Sequence, residues 1–124
     1  MKAILINELF SGQSQKTIQT LSEFILASEP NLDIKQTDLM GSKVLGFLQS
    51  QNLKYAFASQ KNHITFHNMV MYCYPELAKS FKELFPQEKF LKSCIHFKEP
   101  INLDFEKFRI MIETSAQRLF PKPR

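Results

Sequence analysis

The chain has 124 residues, of which 44% are hydrophobic and 23% charged, with a formal net charge of +4. This describes one globular domain spanning 1–124 with a single core, and it excludes a disordered or fibrous protein. Sixteen basic residues are dispersed with no two adjacent, unlike the dense stripe of a nucleic-acid-binding surface.

MKAILINELF, within a short N-terminal segment 1–12, reads as a helix, with an edge strand as the alternative; its apolar run, broken by Asn7 and Glu8, is too short for a secretory h-region. No apolar stretch approaches the ~20 residues that span a bilayer. Two cysteines, Cys73 and Cys94, do not make a disulfide framework. Together these features predict a cytoplasmic protein with reduced thiols.

Ser14 is placed to cap a helix over 14–28, with Ile18, Leu21, Phe24 and Ile25 at helical spacing and Pro30 ending it. Strands are predicted at Lys43–Gln49, Leu53–Gln60 and His63–Asn68, separated by short polar turns as in an antiparallel meander. Pro75 suits the first turn of a helix whose apolar face is Leu77, Phe81, Leu84 and Phe85. CIHF, 94–97, alternates as another strand. Asn102 or Asp104 caps a last helix buried through Phe105, Phe108, Met111 and Ile112, with Arg118 at its cationic end and 119–124 as a tail. The order predicts an α+β domain: two layers, a curved antiparallel sheet of four to five strands, and helices mainly on one face.

Side chains alternate between faces along a strand. If Ile64, Phe66, Ile95 and Phe97 meet the helices, then His63, His67, His96 and Cys94 share the opposite face. Imidazole and thiolate ligate borderline metals, and imidazole titrates near neutrality. Phe47 and Tyr72 complete the candidate ligand-binding set as aromatic walls. On one strand, however, His63 and His67 stand about 13 Å apart, too far for one metal to take both easily. The stronger reading of the spacing makes these histidines ordinary half-exposed sheet residues. No phosphate loop, GxSxG, HExxH or CxxC is present, and no catalytic triad can be assembled.

AFASQKNHITFH, 56–67, and KSCIHFKEPINLDFEKFRIMI, 92–112, resemble the YdhG-like family of bacterial domains of unknown function, over most of the chain. Lys61, Asn62, His63 and Ile64 match that family's turn into a strand. Its Gly-Met-Pro-x-aromatic segment is replaced by Lys43-Val44-Leu45-Gly46-Phe47, so only the aromatic is kept. The resemblance implies a two-layer α+β fold. One branch is described as a frataxin-like iron chaperone, which implies an acidic ridge; Glu23, Glu29, Asp33 and Asp38 are the nearest equivalents here. The favoured expectation is a non-enzymatic module that binds a small molecule or metal ion on the open sheet face. The alternatives are an interaction module for an anionic protein or nucleic-acid partner, and an enzyme using His63 or His96 as a base, for which no partner nucleophile, orienting carboxylate or cofactor loop is visible.

Overall fold

The structure is a computed structural model that describes residues 2–99 and 101–123. Helices α1 (Lys2–Leu9) and α2 (Gln13–Ser28) precede strands β1 (Asp33–Leu39), β2 (Ser42–Gln49), β3 (Asn52–Ser59) and β4 (His63–Asn68). Then come α3 (Met69–Cys73), α4 (Pro75–Leu84), β5 (Lys89–Phe90), β6 (Cys94–Lys98) and α5 (Phe105–Ala116). The strands form one antiparallel sheet in the order β1-β2-β3-β4-β6-β5. The α+β class with a curved sheet is as expected, but the sheet has six strands rather than four to five.

The additions are β1 and β5. DIKQTDL reads as polar because β1 is an edge strand with most of its side chains in solvent. Its link to β2 is a two-residue hairpin, Met40-Gly41, with both φ angles positive (53° and 84°). Ser50 and Gln51 join β2 to β3 the same way, at 49° and 70°. Asn-Gly is the usual occupant of such turns, so their sequence signature is weak here.

Every helix contributes to one buried cluster. Ile18, Leu21 and Ile25 of α2, Val70 and Met71 of α3, Leu77 and Phe81 of α4, and Phe108, Met111 and Ile112 of α5 all belong to it, with Ile6 of α1. The sheet supplies Leu45, Phe47, Tyr55, Phe57, Ile64, Phe66, Ile95 and Phe97. Phe66 sits at its middle, with ring centroids 5.0 Å from Phe57, 5.2 Å from Phe108 and 5.9 Å from Tyr55. A second, smaller cluster of Val44, Ala56 and Ala58, flanked by Leu39 and Leu53, comes from strands alone. It marks the sheet face on which no described helix packs.

Several helix ends differ in detail from expectation. Gly12, at φ 61°, is the N-cap of α2; the Ser14 hydroxyl instead donates to Glu99 Oε2 at 2.6 Å. Asp104 caps α5, accepting from the backbone N–H groups of Glu106 and Lys107. Phe105 lies outside the buried stripe, exposed beside Phe24, and Arg118 pairs with Glu76. Asn68 caps α3 through Oδ1 and donates Nδ2 to Ser115 Oγ at 3.2 Å, tying α3 to α5.

A β-bulge between Phe47 and Leu48 pairs Phe47 with Tyr55 and Leu48 with Leu53, leaving Lys54 as the extra residue. The bulge turns Lys54 toward the C-terminal end of α2, where its ammonium pairs with Glu29 and donates to Gln49 Oε1 at 3.1 Å. Tyr55 OH donates to the other Glu29 oxygen at 2.7 Å, and Gln49 Nε2 donates to the Phe120 carbonyl at 2.6 Å. Burial and the Glu29 charge push the Tyr55 phenol far above its ordinary pKa. Lys54 is 2% exposed, so removing its counter-ion strands a buried charge. Glu29→Ala is expected to lower the unfolding free energy by about 3 kcal/mol in urea titration. A loss below about 1 kcal/mol would show the pair to be dispensable.

Candidate functional site

Strands β4 and β6 pair with His63 opposite Lys98, Ile64 opposite Phe97, Thr65 opposite His96, Phe66 opposite Ile95 and His67 opposite Cys94. Ile64, Phe66, Ile95 and Phe97 are all buried against the helices. Alternation therefore sends His63, Thr65, His67, Cys94, His96 and Lys98 to the reverse face. Lys89 of β5 lies opposite His96 and joins them. His63 and His96 are diagonal neighbours across the ladder, and their rings stack at 4.1 Å between centroids, 18° apart in plane. Among the described residues none of the three imidazoles makes a side-chain hydrogen bond; His67 is 9% exposed as a residue, but its ring nitrogens are not among the buried polar atoms left without a partner.

Strands β2 to β6 contain four lysines and three histidines and no aspartate or glutamate. Of the lysines, Lys54 is neutralised by Glu29 on the helix side, while Lys89 and Lys98 stand beside the histidines. Burial holds the His67 imidazole below its ordinary pKa, with His96 adding to the effect. His96 is lowered by burial first, then by His63 and Lys89. Two charges 4 Å apart repel by about 4 kcal/mol at an effective dielectric of 20. Two cationic rings at that spacing are thus disfavoured unless an anion joins them.

Cys94 shares the face, but burial raises its thiol pKa, opposed by Lys89, so it stays protonated and a poor metal ligand at neutral pH. Phe47, expected here as an aromatic wall, is fully buried on the helix side, edge-on to Phe57 at 6.0 Å. The reason is strand parity: Phe47 pairs with Tyr55, which is also a core residue. Tyr72 is 58% exposed on α3, outside the strands. The structure therefore brings together His63, His67, Cys94 and His96, and leaves out Phe47 and Tyr72.

Among the described residues, no three His, Cys, Asp or Glu side chains converge to hold a metal ion. Glu29, one of the carboxylates nearest to an acidic ridge, is engaged by Lys54 and Tyr55. Strand alternation in CIHFK already sets Lys98 with Cys94 and His96; Lys89 is the residue that sequence reasoning passed over. A signal for the basic face existed, because no carboxylate occurs between Asp38 and Glu76. Open clefts of about 260 to 360 Å³ occur elsewhere, for example between α2 and α5 at Phe24, Arg109 and Glu113. In Arg109 that cleft has a guanidinium already paired with Glu106 and Glu113. No described helix is long and apolar enough to cross a membrane.

In comparisons with protein-family models, curated proteins and solved structures, nothing matches the chain.

Because His67 and His96 have lowered native pKa values, the unfolded chain binds more protons than the native one between those values and the free imidazole value of about 6.5. The associated stability is complete above about pH 6.5 and is lost as the pH falls through the native pKa values. His67→Gln/His96→Gln is expected to lose less stability than the parent between about pH 8 and about pH 5 in urea unfolding. Parallel pH profiles for the two proteins would contradict this assignment.

Proposed function

We propose that the chain is a non-enzymatic binding module of the cytoplasm that takes a small ligand on its uncovered sheet face. The observation that supports it is the gathering of His63, His67 and His96 on the face that no described helix covers, with the His63 and His96 rings stacked. Among the described residues none of the three imidazoles is tied up in a side-chain hydrogen bond, so their solvent-facing ring nitrogens are free to accept or donate. Kinship with the YdhG-like family belongs to this proposal, resting on the 56–67 and 92–112 segments and consistent with the α+β sheet. Handling of iron fits less well, since a hard cation favours clustered carboxylates and this face has lysines instead. A second reading, docking of an anionic macromolecule, draws on the carboxylate-free strands β2 to β6.

The test is a thermal-shift screen of chemically mixed small ligands, with Fe(II) and Zn(II) included, followed by NMR of the histidine ring protons. A stabilising ligand is expected to move the His63, His67 and His96 signals together and leave Tyr72 unmoved. Stabilising ligands that move only signals elsewhere would overturn the proposal. Binding confined to polyanions, weakening steeply with salt, would favour the second reading.

A further inference from the structure

The location of the charges narrows the ligand class. Helices α1 to α5 carry equal numbers of acidic and basic residues, whereas β2 to β6 carry only basic ones. On the uncovered face those bases collect at one corner. Lys89 stands opposite His96, and Lys98 opposite His63, with the two imidazoles stacked between them. Resting on the reading above, we propose that this corner is an oxyanion site: it seats a small doubly charged group of the phosphate or sulfate type between His63, His96, Lys89 and Lys98, and takes up a proton as it does so.

The proton follows from the geometry. Two imidazoles 4.1 Å apart cannot both be cationic without a neighbouring negative charge. An oxyanion supplies that charge and accepts from ring N–H and ammonium donors, which makes the hydrogen bonds charge-assisted. Its arrival favours the protonated ring, so by linkage binding strengthens as the pH falls. The charged and titratable groups around the stack are few. His67 shares β4, Cys94 and Lys98 share β6, and Lys89 comes from β5. Two carboxylates border these strands: Glu88 Oε1 accepts from the backbone N–H of Lys98, and Glu99 accepts from the Ser14 hydroxyl of α2. Lys61, in the turn before β4, adds a further positive charge. Glu88 is thus a fixed carboxylate at the edge of this corner, outnumbered there by Lys61, Lys89 and Lys98.

Sulfate is the probe, because its own charge is constant over the range tested. It is titrated against chloride at fixed ionic strength and the histidine ring protons are followed by NMR at about pH 5.5 and about pH 8. The expected result is a saturable shift of the His63 and His96 signals, with affinity at least about tenfold tighter at the lower pH, the effect of a one-unit pKa change. His96→Gln is expected to abolish the pH dependence, and Lys89→Gln to weaken sulfate at both pH values, with unchanged amide spectra showing the fold intact. A single-stranded oligothymidylate run alongside separates sources of the anion. Salt-steep, pH-independent oligonucleotide binding without a sulfate response would overturn the proposal in favour of a nucleic acid. Equal sulfate affinity at both pH values, or no saturable shift, would overturn it as well. If sulfate fails but a neutral ligand moves the ring signals, the oxyanion site falls and the binding module stands; if nothing moves them, both fall.

Discussion

Ile64, Phe66, Ile95 and Phe97 can reach the helix layer only if His63, His67 and His96 turn away from it, because neighbouring side chains on a strand leave on opposite sides. The helices supply an apolar layer to one face of the sheet alone. The antiparallel register of β4 with β6 then aligns the excluded side chains across the ladder, and β5 adds Lys89 to the row. A slip of one residue in that register would bring the histidines inside and expose the phenylalanines. Burial of four large apolar side chains, each worth about 1.5–3 kcal/mol, opposes it.

Polar fastenings hold this arrangement in place at its ends. Asn68 terminates β4, starts α3 and reaches Ser115 on α5. At the far end of the sheet, the bulge that swings Lys54 under α2 joins Glu29, Tyr55, Gln49 and the Phe120 carbonyl in one network. That network also takes Glu29 out of any exposed acidic ridge. Among the described residues, the basic side chains of β4, β5 and β6 have no equivalent lock, which leaves them open to the proposed ligand.

Much of this was legible in the residues. The helical spacing of Ile18, Leu21 and Ile25, the proline at the start of α4, and the alternation in HITFHN and CIHF each correspond to the structure. Parity alone placed four of the six candidate residues on one face. Phe47 and Tyr72 fell outside because one-dimensional spacing does not say which face of a third strand matches the first two, nor that Met69–Cys73 forms a turn of helix. β1 escaped notice because an edge strand needs little apolar content, and its hairpin at Met40-Gly41 lacks the usual turn residues. The lysines looked scattered because Lys89 joins the face of Lys98 only through the pairing of β5 with β6.

The central claim is the shared face of the imidazoles, and a NOESY spectrum of the uniformly labelled protein tests it most directly. Rings with centroids 4.1 Å apart place side-chain protons of His63 and His96 within easy range of one another, so strong inter-ring cross-peaks are predicted. Cross-peaks from either imidazole to Phe66, Phe97 or Phe108, with none between the two histidines, would contradict the account.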